Sequence, residues 1–585
     1  MLEPSAYQLA VFAHVEAAVQ ARRQGRPWQN LVVSAAPGSG KTVTVVATCH
    51  RLPGIRSLVV AFGRRVADEL SAKLPSSAEA MTLHSLGLAA WSRFVGRPEV
   101  AGNKLWRIAD KMAEDGELPR WMKGKAVKLA ELARMHGVVP GSRAREGVQR
   151  APGGEEGAGG GSQQGVGSAT APARSYSLQE AGDVLAGGGV EIRGLVPDVD
   201  DVWSGLMAQY DVYCDAPGKL IAAARDLLRT SIRFGHRIID FGDMIYLPAL
   251  CEAVRLDQSA DVVFVDELQD LDHLQRRMIL RMTGRSVFVG VGDPKQAIFA
   301  WRGAAEDSMD LVRRATRATT LPLSICYRCP ESHVRLARRY SPDIEAAPGA
   351  AAGAVERFGA DGFLQCDRAA DHPAGCACAR RRRPEQVGPA SFRPGDVVVC
   401  RSKGRLVRAA FWLLARRVPA RVLGKDIGSG ILAFVDSLRL REPNLDSLLV
   451  TVERVTNKAV DRAREQGDEA AAEEASDRRD VITAVAEAVL DEGLDDKDEI
   501  PAFRRQLQDL FGDGEDRDTV VTFSTIHRFK GGQGPRIWWL DPDKPDPSSP
   551  AYRKDWQRTE AENLRLVAST RSTEWLGLLP PEALS

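Results

Sequence analysis

Residues 31–42 read LVVSAAPGSGKT, and a helix-like pattern continues from Thr42 to Leu52. An apolar strand, a glycine loop and a helix in this order are typical of a phosphate-binding loop. The glycines let backbone N–H groups close around phosphate oxygens, and the positive end of the helix dipole adds to the attraction. Lys41 would reach the outer phosphates of a nucleotide, and Thr42 would hold its Mg²⁺. We expect the nucleotide to contact the whole loop: Ala36, Pro37, Gly38, Ser39, Gly40, Lys41 and Thr42.

The composition is that of an ordinary globular protein. Hydrophobic residues make up 44% of the 585 residues and charged residues 27%, and the length predicts about four domains. The formal net charge is +1, so any nucleic-acid surface must be local. The nine cysteines lack the spacing of a secreted disulfide scaffold, and neither a signal peptide nor a long uncharged apolar run is apparent. We therefore expect a soluble, cytoplasmic protein with no membrane partner.

Short β-branched runs alternate with helical patterns and predict an α/β fold with doubly wound parallel sheets. A first set of runs comprises Leu31–Val33, Leu58–Phe62, Val262–Val265 and Val287–Val291. A second set comprises Thr319–Leu323, Val397–Cys400, Thr519–Phe523 and Ile537–Leu540. Two sets of runs predict two sheets, each at the centre of its own domain.

Two long segments separate these runs and predict helical insertions. We place the first domain at 1–88 and 236–317, its insertion at 89–235, the second domain at 318–424 and 516–585, and its insertion at 425–515. A Gly/Ala/Ser tract at 151–175 cannot bury enough apolar area to fold, so we predict a flexible loop there.

The stretch from 346 to 394 is predicted to be loop-like. It carries four possible metal ligands: Cys366, His372, Cys376 and Cys378. Their C-x-C spacing is not the usual C-x₂₋₄-C of a zinc site. We therefore favour a solvated insertion with a basic cluster over a zinc site.

The apolar run Val262–Val265 ends in two carboxylates, Asp266 and Glu267. Beside a phosphate loop, Asp266 would hold Mg²⁺, and Glu267 would orient and deprotonate an attacking water. Such a pair in isolation more often begins a solvated turn or caps a helix. The upstream phosphate loop and the following Gln269-Asp270 favour the catalytic interpretation here.

The run Val265-Asp266-Glu267-Leu268-Gln269-Asp270 resembles the D-E-x-Q-D motif of superfamily I helicases, in the UvrD/Rep-like group. Further motifs of that family follow in its order. In Ser5–Gln8, Gln8 would read adenine. In Val60–Arg65 and Thr82–Gly87, the residues Phe62, Thr82 and His84 would contact the strand, and Asp240–Met244 is similar to D-F-x-D. In Gly292–Gly303, Gln296 would sense the γ-phosphate, and Phe299, Trp301 and Arg302 would contact DNA.

The second half of the chain carries the remaining motifs of the family. In Tyr327–Pro330, Tyr327 would stack on adenine and Arg328 would reach the γ-phosphate. In Ser524–Gly531, His527 would contact DNA, and in Val567–Arg571, Arg571 would be the arginine finger. Gln533 stands where relatives usually carry a glutamate, so it could hydrogen-bond a ribose but supplies no charge.

The resemblance implies two RecA-like motor domains whose ATP site is complete only when they close on each other. It also implies a 3′–5′ single-stranded DNA translocase and helicase that uses ATP and Mg²⁺ and acts in repair, recombination or replication. Its partners would be single strands and duplex junctions, a monomer could suffice, and it would join the nucleoid when bound to DNA. The alternatives are a degenerate motor that acts as an ATP-regulated DNA clamp, another class of phosphate-loop enzyme, and RNA as the substrate.

Overall fold

The computed structural model describes most of the chain. The described residues are 3–141, 175–177, 191–193, 195–210, 212, 214–256, 260–298, 307–365, 386–438, 440, 442–465, 469–490, 493–511, 517–543 and 555–584.

The strands are β1 (Leu31–Ala35), β2 (Ser57–Ala61), β3 (Ala78–Thr82), β4 (Glu99–Val100), β5 (Ser175–Ser177), β6 (Glu191–Arg193), β7 (Ile238–Ile239), β8 (Val262–Val265), β9 (Val287–Gly292), β10 (Thr319–Leu323), β11 (Ile325–Cys326), β12 (Glu345–Ala346), β13 (Ala354–Phe358), β14 (Leu364–Gln365), β15 (Val397–Cys400), β16 (Ala420–Val422), β17 (Val521–Thr525), β18 (Gly534–Leu540) and β19 (Ser572–Leu579).

The α-helices are α1 (Ala6–Arg23), α2 (Lys41–His50), α3 (Arg64–Ser71), α4 (Leu83–Val95), α5 (Lys104–Glu114), α6 (Lys123–Met135), α7 (Asp200–Gln209), α8 (Pro217–Phe234), α9 (Asp243–Leu250), α10 (His273–Thr283), α11 (Ser308–Thr316), α12 (Glu331–Ala337), α13 (Lys403–Leu414), α14 (Lys425–Ser437), α15 (Leu445–Glu465), α16 (Glu469–Leu490), α17 (Asp496–Leu510) and α18 (Asp555–Ser569).

The first sheet has six parallel strands in the order β10-β1-β9-β8-β2-β3. Alternate residues of each strand enter separate apolar cores, so that Val263 and Phe264 face opposite sides. A parallel sheet buried on both faces is the doubly wound arrangement. The strands also end together, because Ser34 pairs with Gly292 and Val265 pairs with Gly290. The loops after β1, β8 and β9 therefore emerge side by side.

The second sheet has seven strands in the order β14-β13-β19-β18-β15-β17-β16. Its neighbouring strands are parallel except for the antiparallel pair β13 and β14. Here too, successive residues such as Trp538 and Trp539 enter different cores. The predicted α/β fold with two RecA-like parallel-sheet domains is thus confirmed.

Two details of the sequence prediction are wrong. Strand β10, which we assigned to the second sheet, pairs with β1 at the edge of the first. Its exposed residues and Pro322 suit an edge strand, and no local pattern tells which of two sheets an edge strand joins. The stretch 346–394 is not only loop, because β13 lies within it and pairs with β19. The alternation in Ala354–Phe358 was too short to distinguish a strand from a loop.

The segments predicted as insertions are mainly helical where the structure describes them, with the short strands β4, β5 and β6 in the first. Helices α5 to α8 lie within 89–235, and α14 to α17 lie within 425–515. The tract 151–174 and the four candidate zinc ligands fall outside the described residues, so those predictions stay open. Within the described part of the chain, no helix combines the length and apolar character needed to span a membrane.

Close packing of α4 on α9 makes Gly87 sensitive to any side chain. A Cβ at Gly87 would lie 1.8 Å from the backbone oxygen of Met244. We expect Gly87→Ala to destabilise the protein by about 1–3 kcal/mol, because the helices would have to separate. Calorimetry should show a lower apparent melting temperature. The control is Gly205→Ala in α7, where an added Cβ meets nothing within 4 Å. An unchanged melting temperature for Gly87→Ala would contradict this packing.

Candidate functional site

The phosphate loop connects β1 to α2 and depends on two glycines. Gly38 and Gly40 have φ angles of +70° and +81°, which residues with a Cβ rarely adopt. Gly38 is also tightly covered, because a Cβ there would lie 2.7 Å from the Cβ of Arg328. The loop therefore needs glycine both for its own conformation and for the close approach of the second domain.

Lys41 at the start of α2 is paired with Glu267. Its Nζ lies 3.2 and 3.3 Å from the two carboxylate oxygens. Burial acts to lower the pKa of Lys41, but the charges of Glu267, Asp266 and Asp293 outweigh it and raise that pKa. Burial likewise acts to raise the pKa of Glu267, while Lys41 and then Lys530 lower it to about 2. Both groups are therefore charged at neutral pH.

Glu267 directly follows β8 in a left-handed conformation, with φ of 52°. A residue with a side chain adopts this conformation at a cost, and such outliers concentrate at functional sites. The turn points the carboxylate back toward Lys41 across the ends of β1 and β8.

Oxygen donors suited to a Mg²⁺–nucleotide complex lie beside this pair. Burial, followed by the charge of Glu267, raises the pKa of the Asp266 carboxyl to about 6, and a nearby cation would stabilise its ionised form. The Ser39 hydroxyl is buried and has no hydrogen-bond partner within the described chain. Carboxylate and hydroxyl oxygens are hard donors, and Mg²⁺ usually combines one or two protein ligands with phosphates and water. The Asp266 carboxylate and the Ser39 hydroxyl are donors of this kind, and the predicted Mg²⁺ ligands Asp266 and Thr42 stay predictions.

A hydrogen-bonded network links the loops after β8 and β9. The Gln269 side chain accepts a 3.0 Å bond from the Asp293 backbone N–H and donates to Glu267. The Asp293 carboxylate in turn accepts a 2.7 Å bond from the Gln296 amide. This network orients Gln296 so that its amide oxygen faces the second domain.

Two arginines of the second domain reach the same cleft. Arg571 is fully buried after α18, and its Nη2 lies 3.5 Å from the Gln296 amide oxygen. Burial, and then the charge of Arg328, lower the pKa of Arg571 to about 9. Arg328 Nη1 donates to the Thr570 carbonyl at 3.4 Å. The buried guanidinium of Arg571 and the half-buried guanidinium of Arg328 create a position that favours an anion.

A buried ion pair joins the two domains next to these arginines. Lys530 Nζ lies 2.5 Å from Asp270 Oδ2 and 2.6 Å from the Gln296 carbonyl oxygen. Burial raises the pKa of Asp270 to about 6, although Lys530 counteracts this effect. Lys530 of the second domain therefore contacts the first domain at Asp270 and at the loop that contains Gln296.

Parts of the chain match known proteins. A family described as AAA domain matches residues 16–302, nearly half of the chain. RecBCD enzyme subunit RecB of Mycolicibacterium smegmatis is 53% identical over 51 residues, or 8% of this chain and 5% of that protein. ATP-dependent DNA helicase Rep of Buchnera aphidicola subsp. Baizongia pistaciae is 38% identical over 74 residues, or 12% of this chain and 11% of that protein.

The chain is thus similar to superfamily I helicases of the UvrD/Rep-like group. The family resemblance carried by the motifs is thereby confirmed, although the chain spans only small parts of these relatives. A crystal structure of Arterivirus nonstructural protein 10 (helicase) covers 97% of this chain and 62% of its own, with 12% identity. Its TM-score is 0.29, a value too low to support an argument.

The predicted adenine contacts border the phosphate loop. The Gln8 amide N–H donates to Thr44 Oγ1 at 3.1 Å. Its amide oxygen accepts from Ser5 N at 3.0 Å, and this second bond is part of the N-terminal cap of α1. Tyr327 is exposed, and its backbone N–H donates to the Gly38 carbonyl at 2.9 Å. Gln533 is exposed next to Gly532, whose carbonyl accepts a bond from Arg571. The ligand roles of these three residues stay predictions.

The predicted DNA contacts Phe62 and His84 share a cavity of about 420 Å³ with Arg134, Gly242 and Asp270. Burial lowers the pKa of His84, so the ring is neutral at pH 7. The Thr82 hydroxyl accepts a 3.1 Å bond from Ser85 N and caps α4.

The other predicted DNA contacts lie on the loop after β9 and in the second domain. Phe299, Trp301 and Arg302 fall outside the described residues, and their roles stay predictions. His527 hydrogen-bonds Glu560 at 3.0 Å, near the cleft between the domains.

Exposed aromatic side chains of the first domain escaped the sequence analysis. Phe241 is 60% exposed and directly precedes Gly242 of the cavity. In the insertion, Trp106 is 43% and Trp121 is 61% exposed, and Lys123 Nζ lies 5.6 Å from the Trp106 ring. Phe241 could have been found from the D-F-x-D resemblance, whereas nothing in the pattern around the tryptophans predicts exposure.

A buried ion cluster fixes the Asp240–Asp243 turn to the insertion. Arg134 Nη1 contacts Asp240 at 2.7 Å and Asp243 at 3.3 Å, and Lys104 Nζ contacts Asp243 at 2.6 Å. All four side chains are almost completely buried. The sequence analysis missed the two basic residues, because each lies in an ordinary helical pattern. Their role is to position Phe241 and Gly242 against the cavity.

We expect Lys104→Met to lower the free energy of unfolding by about 3–5 kcal/mol, because it leaves Asp243 with less compensation in a buried site. The control is Arg65→Ala, which removes an exposed pair with Glu69 and should cost about 0–1 kcal/mol. Denaturant unfolding followed by circular dichroism measures both variants. If Lys104→Met and Arg65→Ala lower the free energy of unfolding by the same small amount, the structural role of the cluster is contradicted.

Proposed function

We propose that this protein is a DNA-dependent ATPase that moves along single-stranded DNA and separates duplex ahead of it. The main support is that one cleft receives Lys41, Glu267 and Gln296 from the first domain and Arg328 and Arg571 from the second. The Arg571 to Gln296 distance of 3.5 Å carries this argument. An arginine finger supplied across a domain boundary links hydrolysis to domain closure.

Hydrolysis would begin with an exchange of ion partners. The β- and γ-phosphates would draw Lys41 away from Glu267, since phosphate carries more charge than one carboxylate. Loss of this cation raises the basicity of Glu267, which then accepts the proton of the attacking water. Mg²⁺ held by Asp266 and Thr42 would neutralise phosphate charge. Arg328 and Arg571 would stabilise the charge that develops on the transferred phosphoryl group.

Coupling to DNA would run through the loop that contains Gln296. Lys530 holds the carbonyl of that residue from the second domain, and the predicted DNA contacts Phe299, Trp301 and Arg302 follow within six positions. A strand stacked on these aromatics would therefore influence the position of Gln296 relative to Arg571. Stacking contributes about 1–3 kcal/mol per base without sequence preference, which suits a translocase.

The finer parts of the proposal rest on the family. They are the 3′–5′ direction, unwinding at duplex junctions, a role in repair, recombination or replication, function as a monomer, and a cytoplasmic location with nucleoid association. Phe62, Thr82, His84 and His527 would contact the strand together with the loop after β9. DNA is favoured over RNA because the matching relatives from Buchnera aphidicola are ATP-dependent DNA helicases.

We expect single-stranded DNA to stimulate ATP hydrolysis strongly in the wild type. Arg571→Ala should reduce the stimulated kcat about 10³–10⁵-fold, because the transition-state charge loses its partner. Lys41→Ala should abolish hydrolysis. Arg339→Ala removes an exposed arginine of the same domain and should leave the rate unchanged.

The same assay separates the motor from the clamp. A wild type that binds DNA but hydrolyses ATP no faster with it would contradict the motor and favour an ATP-regulated clamp.

We expect Phe62→Ala and Phe241→Ala each to weaken binding of oligo(dT), because each removes a surface on which a base can stack. A loss of about 1–3 kcal/mol corresponds to an affinity about 5- to 150-fold lower. Fluorescence anisotropy at fixed salt measures the affinity. Leu9→Ala is the matched control, since it removes an exposed apolar side chain from α1. Wild-type affinity of both aromatic variants would exclude this face as the strand path.

A further inference from the structure

Two cysteines enclose the predicted ATP contacts of the second domain. The sequence Cys326-Tyr327-Arg328-Cys329 begins at the end of β11 and turns into α12. Both cysteines are buried in a small apolar core with Val334 and Leu566. Buried cysteines often serve only as small hydrophobic residues. However, a C-x-x-C spacing in an α/β protein is also the pattern of redox-active dithiols.

The geometry favours a bond between the two sulfurs. The backbone N–H of Cys329 donates to Cys326 Sγ at 3.4 Å. Since an N–Cα bond is about 1.46 Å long, this sulfur lies within about 5 Å of the Cys329 Cα, so the two cysteines are close neighbours in the turn. Cys329 Sγ lies 3.5 Å from the Thr570 carbonyl oxygen, beside Arg571.

The two thiols differ in their acidity. A hydrogen bond from the Cys329 thiol lowers the pKa of Cys326 to about 6 against the effect of burial, and backbone N–H groups and Arg328 add to this. The same hydrogen bond and burial raise the pKa of Cys329. At neutral pH the pair is therefore a thiolate next to a thiol, the combination that reacts with oxidants.

The pair is in direct contact with the phosphate loop. A Cβ at Gly38 would lie 2.9 Å from Cys326 Sγ, and the Tyr327 N–H bonds the Gly38 carbonyl at 2.9 Å. A disulfide that moves this sulfur would therefore disturb the contact with the phosphate loop. Ala36 of the phosphate loop packs against the core that contains the pair.

We propose that Cys326 and Cys329 form a reversible disulfide that blocks the ATP site. The oxidant is a hydroperoxide such as hydrogen peroxide. The Cys326 thiolate attacks one peroxide oxygen, the O–O bond breaks, and the departing oxygen leaves as water after taking up a proton. The Cys329 sulfur then displaces the hydroxyl of the sulfenic acid, which leaves as a second water. Two electrons pass from the sulfurs to the peroxide, and a dithiol reverses the change by exchange.

The disulfide would act by restricting the turn between the two cysteines. Its sulfurs are held about 2.05 Å apart, and the resulting ring limits the dihedral angles of Tyr327 and Arg328. These two side chains must adjust to the nucleotide if they bind it, so the effect on hydrolysis rests on the proposed function. The formation of the bond does not depend on it.

The experiment uses the full-length protein, reduced and then exposed to hydrogen peroxide. Mass spectrometry of peptides tests for the Cys326–Cys329 bond, and binding of a fluorescent ATP analogue and DNA-stimulated hydrolysis are measured on the same samples. We expect the bond to form, nucleotide affinity and kcat to fall at least tenfold, and dithiothreitol to restore both. Cys326→Ser and Cys329→Ser should keep activity and resist peroxide, whereas Cys214→Ser should remain sensitive.

Three results would overturn the proposal. They are an absence of the bond after exposure, a bond that changes neither affinity nor rate, and peroxide sensitivity that persists in Cys326→Ser and Cys329→Ser. Reduced protein that never hydrolyses ATP would contradict the proposed function alone. In that case the mass spectrum and the nucleotide affinity still decide whether the switch exists.

Discussion

The buried ion pair between Lys530 and Asp270 is the constraint on which the arrangement of the site depends. These residues are separated by 260 positions, and both side chains are less than a tenth exposed. A buried charge that loses its partner costs several kcal/mol unless water reaches it. The domains can therefore separate only if water enters the cleft. The lysine also holds the Gln296 carbonyl, so closure of the domains and the position of Gln296 opposite Arg571 are linked.

The local parts of the fold and site could be predicted from the sequence, whereas long-range pairings could not. Glycines at positions 38 and 40 and carboxylates after Val265 predict a loop and a turn, because their causes lie within a few residues. Strand β10 was misassigned because its partner β1 lies almost three hundred positions away. Lys530 was part of a predicted motif, but its contact with Asp270 depends on how the domains meet. The pairs of Lys104 and Arg134 with Asp243 also join residues that are far apart in the sequence, so local patterns did not predict them.

Charge compensation gives the cleft its chemical character. Lys41 and Glu267 neutralise each other, while the charge of Arg328 adds to burial in lowering the pKa of its neighbour Arg571. An anion inserted at this position would relieve the repulsion of the arginines and compete with Glu267 for Lys41. The Cys326 thiolate is adjacent to the same cationic region, so its oxidation would remove a negative charge next to Arg328. Nucleotide binding and thiol chemistry therefore act on one set of charges.

A double-mutant cycle on the domain-bridging ion pair tests the central claim most directly. Single-stranded-DNA-stimulated kcat/KM for ATP is measured for the wild type, Asp270→Asn, Lys530→Met and the double variant. If the pair closes the site, each single variant loses activity, and the double variant loses no more than the weaker single variant, because the second change removes a contact already lost. If the losses in kcat/KM of the two single variants add up in the double variant, closure through this ion pair is contradicted. Single variants with wild-type activity would contradict it as well.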